Sequence, residues 1–303
     1  MYKKNVNLGF EYFKNYYYFE DLKDLKDKNS IYSIIKLNNE LEKINLEESI
    51  NENNRNLEES INENKRNFGN NGDKTLKLFG FKLKTTYPGL LIGSGYNHEI
   101  GKKPNNNEKP EYKLGFEFDY TSGLPVIPGS SIKGVLRSVF RKYFTVSKSE
   151  SESEVKKFIE EYFKESIKKN FSSKIEDFLK HFENNIFEGI DLNGNQIASS
   201  NRDVFFDAYI VGKDSIDNKK ESNYIGEDYI APHNSDCFKN PIPIRFLKVL
   251  PNVFFKFDFI LNDFKYNEEI IITAKEKEEF FQKIILDLGL GAKTNVGYGF
   301  FKK

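Results

Sequence analysis

A single cysteine, Cys237, among 303 residues rules out a disulfide within the chain and any zinc site built from several cysteines. Tryptophan is absent and methionine occurs once, whereas other aromatics are abundant, with 29 Phe and 17 Tyr. Histidine is scarce: His98, His181 and His233 are too scattered to form a sequence-local metal motif, and neither a metal nor a cofactor is expected. No apolar run approaches the ~18 residues of a membrane-spanning helix. The stretch Met1–Glu20 is aromatic and studded with Lys, Asn and Glu, without the apolar core of a signal peptide. These absences lead us to expect a cytoplasmic protein with no membrane contact. Net charge is missing as well, because 46 Lys and Arg balance 46 Asp and Glu. Whole-chain electrostatics therefore point to no polyanionic partner, and any nucleic-acid site must come from local clustering.

The length allows one large domain or two small ones, with enough chain for a substantial core. Asn5 to Phe19 reads as an extended aromatic segment. Between about residues 30 and 70 the pattern turns helical, and LEESINENNRN (46–56) recurs almost unchanged as LEESINENKRN (57–67). An 11-residue repeat closes nearly three helical turns, so Leu46, Ile50, Leu57 and Ile61 form one stripe. Two copies are too few for a solenoid; they read as a duplication that lengthens a peripheral helix. A β-rich block follows. In Leu76–Lys84 the apolar phase slips by one residue beside Gly80, which suggests a bulge. Tyr112–Tyr120 alternates cleanly as a strand, and a long loop from Pro88 to Pro110 separates the two. A helix is expected after Pro128, with Ile132, Val135, Leu136, Val139, Phe140 and Tyr143 buried. A charged helical stretch runs from Ser147 to Phe187, inside an insertion at about 145–200. Further strands are expected at Asp203–Val211, Ile244–Leu250, Val253–Leu261 and Val296–Phe301, with a helix over Lys275–Leu288. Strands and helices interleaved in this irregular order suggest an α+β fold.

Two motifs stand out. In Leu124–Arg137, Ser130 or Ser131 can cap the coming helix, whose N-terminal N–H groups are a natural seat for phosphate. Lys133, Arg137 and Arg141 stand four residues apart on one helical face, bordered by Lys142. Lys74 to Lys142 holds 12 Lys and Arg against 5 Asp and Glu. The plain alternative is a solvated helix face. The second motif, Gly289–Gly299, places four glycines in eleven residues. A P-loop would need Gly at Asp287 and Ala292, and a dinucleotide fingerprint would need Gly at Thr294. Either a tight turn or a close approach to phosphate explains it. Ser130-x-x-Lys133 matches the opening motif of serine β-lactamases, but its companion motifs are missing. His98 or His233 could act as a general base, and Asp203, Asp207, Asp228 and Asp236 could gather near His233.

VIPGSSIKGVLR (Val126–Arg137) paired with GLGAKTNVGYGFF (Gly289–Phe301) resembles the RAMP superfamily of CRISPR effector subunits. More narrowly, the order of NLGF (7–10), LLIGSGYNHE (90–99), GFEFDYTSGLPVIPGSSIKG (115–134), FFDAYIV (205–211), APHN (231–234) and NPIPIRFLKV (240–249) resembles the sixth subunits of Cmr, or type III-B, complexes. The resemblance implies a ferredoxin-like (RRM-like) core carrying helical insertions, a single RAMP domain over residues 1–303. It implies a non-catalytic subunit in antiviral defence that holds guide RNA, caps its 3′ side, and meets target RNA and other Cmr subunits. Onto this sequence it carries Ser130, Ser131, Lys133 and Arg137 as the helix start. Gly289, Gly291, Lys293, Thr294, Gly297 and Gly299 match the Gly-rich loop expected near RNA or a neighbouring subunit. Arg141 and Lys142 extend the first set. The rival readings are an endoribonuclease of the same superfamily and a subunit of a Csm-type complex.

Overall fold

The computed structural model describes residues 77–93, 116–119, 123–145, 157–163, 175–213, 224–231, 243–266 and 269–303. The stretch Asn5–Phe19, the repeats at 46–67, His98, His233 and Asp236 lie outside the described residues. Ten strands are described: β1 (Leu78–Thr85), β2 (Val126–Ile127), β3 (Val204–Phe205), β4 (Ala208–Lys213), β5 (Ile225–Ile230), β6 (Ile244–Val249), β7 (Val253–Ile260), β8 (Phe264–Tyr266), β9 (Glu269–Ile272) and β10 (Phe301–Lys302). Three helices, α1 (Gly129–Thr145), α2 (Ile175–Glu183) and α3 (Ala274–Leu288), join them, and residues 157–163 are also helical.

The main sheet runs β10-β1-β7-β4-β2, antiparallel throughout, with β3 pairing β7 beyond the start of β4. α1 falls in the chain between β1 and β4, and α3 between β7 and β10. The core is therefore βαββαβ with its strands in the spatial order fourth, first, third, second, which is the ferredoxin-like arrangement. Period-2 alternation explains which face is covered. Phe255, Phe257 and Phe259 of β7 are fully buried toward the helices, beside Phe81 and Leu83 of β1. α1 answers with Ile132, Leu136, Val139, Phe140 and Tyr143, all buried as their helical spacing predicts. α3 contributes Phe280, Phe281, Ile284 and Ile285, and its start is fastened by a capping box between Thr273 and Glu276.

Where it is described, the charged stretch expected over Ser147–Phe187 packs into the core. Phe163 stacks edge-on with Phe182 and Phe280, at ring-centroid distances of 5.3 and 4.9 Å, and Phe140 lies 6.1 Å from Phe280. Segment 157–163, α2, α1 and α3 thus meet in one phenylalanine cluster, each ring pair adding about 0.5–1.5 kcal/mol beyond area burial.

Other expectations change. No bulge interrupts β1 at Gly80: its register with β7 is continuous from Leu78 to Lys84. Leu78 sits on the outward face near the strand's start, 39% exposed, so its apolar side chain was no phase marker. The register shift falls in β4, between Ile210 and Gly212. Of Tyr112–Tyr120 only 116–119 are described; Phe118 there makes an isolated bridge to Pro125. Asp203–Val211 is split into β3 and β4, and the closing strand starts only at Phe301, after a 3₁₀ turn at Thr294–Val296. No helix among the described residues is long and apolar enough to cross a membrane.

Candidate functional site

The Gly-rich segment leaves α3 at Gly289 and folds back on the chain beyond β1. Leu290 N donates to Gly299 O (2.9 Å), Ala292 N to Leu91 O (2.9 Å) and Gly299 N to Gly89 O (2.8 Å). Val296, Gly297 and Tyr298 N–H groups close local turns on Lys293 and Thr294 carbonyls. The glycines are there for close backbone packing: a Cβ on Gly291 would stand 2.3 Å from Leu91 O, and one on Gly299 1.9 Å from Leu290 O. Of the two explanations left open by the sequence, the tight turn accounts for the glycines. Those N–H groups are spent within the protein.

What the loop presents outward is side chains. Lys293, in the left-handed region at φ 61°, is exposed, as are Asn295 and Val296, while Thr294 is half-buried. Beside them stands Tyr87, 85% exposed, whose neighbour Pro88 packs near Gly297. Sequence reasoning passed over Tyr87 because nothing in its local pattern distinguishes it from the other tyrosines.

Tyr298 anchors the loop from below. Its hydroxyl donates to Asp228 Oδ2 (2.7 Å), which Lys248 Nζ also reaches at 2.6 Å, and Phe246 and Leu91 pack around the ring. Burial works against the Asp228 charge, yet hydrogen bonds from Lys248, Tyr298 and the Tyr229 N–H hold its pKa below the ordinary aspartate value of 3.8. Burial, reinforced by Asp228, pushes the Tyr298 hydroxyl well up. A depressed carboxylate pKa stabilises the fold above its unfolded value, and that contribution is lost as pH falls through the lower folded value. Asp228→Asn is therefore expected to be less stable than the parent near pH 6 but to lose less on acidification to about pH 3. Urea unfolding at both pH values checks this; parallel losses would show that Asp228 is not so held.

The α1 motif is arranged differently from its sequence reading. The helix begins at Gly129, whose N–H donates to Asp207 Oδ1 (2.6 Å). Asp207 reaches it because β3 and β4 part at Phe206 and Asp207. Ser130 and Ser131 are not the cap; they lie exposed inside the first turn. Arg137 is half-buried, with Nε 3.1 Å from Glu183 Oε1 and a second bond to Glu188. Burial opposes its charge, but the two carboxylates raise its pKa further. Lys133 Nζ stands 5.8 Å over the Phe205 ring, while Arg141 and Lys142 are exposed. The expected basic face is therefore divided: Arg137 serves an ion-pair lock on α2, and the others border it.

Nor do the two motifs converge. Gly129 packs on Phe205, which pairs with Phe259, itself opposite Phe79. The loop is stitched to residues 86–91, on the far side of Thr85. Six residues of strand, roughly 20 Å, separate those levels. The carboxylates proposed to gather near His233 are also dispersed: Asp207 caps α1, Asp228 holds Tyr298, and Asp203 pairs with Lys277 at 2.7 Å. Among the described residues no group of three or more His, Cys, Asp or Glu is placed to hold a metal ion. His181, the one described histidine, is half-buried on α2.

A family model described as the RAMP superfamily matches residues 82–302. No curated protein sequence gives a match. Among solved structures, a chain of the type III-B Cmr-beta bound to cognate target RNA is similar in fold, with a TM-score of 0.52 at 21% identity over 99% of this chain and 91% of that one. Cmr6 from Pyrococcus furiosus is 22% identical over 75% of this chain and 99% of that chain, with a TM-score of 0.40.

Proposed function

This chain belongs to the RAMP superfamily, and from that premise we propose that it is a non-catalytic subunit of a type III-B CRISPR RNA-guided effector complex. In this reading it holds the guide RNA along its backbone, caps the RNA's 3′ side, and meets target RNA and the other Cmr subunits in antiviral defence. The observation that carries the reading is the exposed tip of the Gly-rich loop. There a rigid turn, braced by Tyr298 on Asp228, presents Lys293, Thr294 and Asn295 beside the exposed ring of Tyr87. A fixed cation with hydrogen-bonding side chains suits a phosphodiester backbone, and an exposed ring suits a splayed base. Sequence is then read by pairing between guide and target, so base-edge contacts by the protein are not needed.

The test is to tag the chain in its host, purify it gently, and sequence the RNA that accompanies it. Short RNAs of defined length carrying spacer sequence, together with several partner proteins, are the expected result. A chain that elutes alone and without RNA overturns the reading. Lys133→Glu with Lys293→Glu is expected to lower guide-RNA content or release the subunit, measured as RNA per complex. Arg137 is left intact in that variant, because a carboxylate between Glu183 and Glu188 would cost on the order of 2 kcal/mol in fold stability and confuse the outcome.

A further inference from the structure

Among the described residues the two most exposed large hydrophobic side chains are Tyr87, at 85%, and Val296, at 58%. They stand at one place. A Cβ on Gly297 would lie 3.6 Å from Pro88 Cδ, so Tyr87 and Val296 each adjoin a residue of the same close contact. Neither sits on a loose end. Thr86, before Tyr87, donates from both its N–H and its hydroxyl to Phe300 O, at 3.0 Å each. Gly89, two residues after Tyr87, accepts from Gly299 N at 2.8 Å. On the other side Val296 N donates to Lys293 O (3.1 Å) and Gly297 N to Thr294 O (3.0 Å). A lone apolar group on a surface calls for no explanation, but two together on fixed backbone do. Their backbone is ordered by folding, so a ligand there meets little further ordering cost.

We propose that Tyr87 and Val296 form a seat for one unpaired nucleotide, so that the loop tip grips RNA only where it is single-stranded. Tyr87 stacks on the base, Val296 packs against it, and Lys293 meets the adjoining phosphate. This rests on the RNA-binding reading given above and names the form of RNA that the site takes. Charge selects the occupant. None of residues 87–91 or 289–299 is acidic, and Asp228 beneath the loop is matched by Lys248 at 2.6 Å. The exposed Lys293 therefore sets the sign of the tip, which favours an anion. A ring face beside a cation fits a nucleotide, whose base offers a π-face and whose phosphate offers the charge. Within a paired A-form helix the base faces are covered by their neighbours in the stack. Tyr87 finds a face to stack on only at an unpaired position or an end.

The experiment titrates the full-length chain into three fluorescent RNAs. They are oligouridine alone, the same strand paired along its whole length with oligoadenine, and the same strand paired with a shorter complement that leaves a single-stranded end. The parent is expected to bind the first and third at least about tenfold more tightly than the second. Tyr87→Leu keeps apolar bulk but removes the ring face. It is expected to bind the single strand about five- to tenfold more weakly and the fully paired RNA as before. Tyr87→Phe should keep the parent's affinity, and Val296→Ala should fall between the two. Each variant is first shown to melt as the parent does. A parent that binds all three RNAs equally, or none of them, overturns the proposal. So does a folded Tyr87→Leu chain with the parent's affinity; if that variant does not fold, Val296→Ala decides in the same way. A variant that loses partner subunits while binding RNA as before also overturns it, by making the tip a protein contact. Purification from the host separates this proposal from the one before it. Tyr87→Leu complexes with the parent's RNA content and RNA protection sink the seat but leave the subunit assignment standing. A parent chain that brings down neither RNA nor partners sinks the assignment, while the titration still judges the seat.

Discussion

Lys277→Ala is expected to lower the stability of the folded chain by about 3–5 kcal/mol, the usual cost of stripping one partner from a buried ion pair. Lys277 is 0% exposed and its Nζ lies 2.7 Å from Asp203 Oδ2, on a side chain itself only 3% exposed. The other oxygen of Asp203 accepts from Asn262 N at 2.8 Å, so the carboxylate is committed on both sides and cannot turn to water. Removing the ammonium leaves a charge with no counterpart in a site that also holds Phe182 against Lys277. The pair fastens α3 to the segment entering β3, and α3 in turn carries the Gly-rich loop. Replacing both partners, Lys277→Met with Asp203→Leu, should be near neutral, because the desolvation cost disappears with the charges. Urea denaturation of the parent, the single variant and the double variant decides the matter. A single variant within about 1 kcal/mol of the parent would mean that the pair is not buried as described.

Gly299→Ala is the second large effect. Gly299 has φ +79°, a conformation that costs an L-residue about 1–2 kcal/mol by itself. The added methyl would also stand 1.9 Å from the Leu290 carbonyl oxygen, which is backbone and cannot swing aside. Together these should cost about 2–4 kcal/mol and displace the turn that presents Lys293. The contrasting substitution is Gly134→Ala. Gly134 lies inside α1, and a Cβ there meets nothing within 4 Å. It should stabilise the chain by about 0.5–1 kcal/mol, since alanine has less backbone entropy to lose in a helix. Thermal melts of the two variants should shift in opposite directions. A Gly299→Ala chain that melts with the parent would show that the loop adopts another path.

Much of the site lay beyond sequence reasoning, for reasons that individual residues make plain. Lys133, Arg137 and Arg141 do sit four apart on one helix, as spacing requires. Whether such cations are open to a ligand depends on what packs against them, and Glu183 arrives from the end of α2 and Glu188 from the helical turn after it, 46 and 51 residues further on. The cap of α1 likewise comes from Asp207, 78 residues away, while two serines at the helix start offered the obvious local choice. The glycine loop was legible as an unusual turn. Its reason, close backbone packing against Gly89 and Leu91, was not, because that contact closes a loop of about two hundred residues.

Properties carried by neighbouring residues could be read directly from the chain: the buried stripe of α1, the extent of α3, the strands β6 and β7, and the paired motifs that mark the RAMP superfamily. Each depends on a period of 2 or 3.6 residues or on an ordered string of residue types, and neither needs knowledge of what lies across the fold. Tertiary structure alone decided the rest: which carboxylate neutralises which cation, which N–H groups remain to meet a ligand, which charges share a face, and that the two glycine-bearing motifs stand at opposite ends of β1. Electrostatic and hydrogen-bond partners act through space over a few ångströms, and a chain of 303 residues can bring almost any pair to that distance.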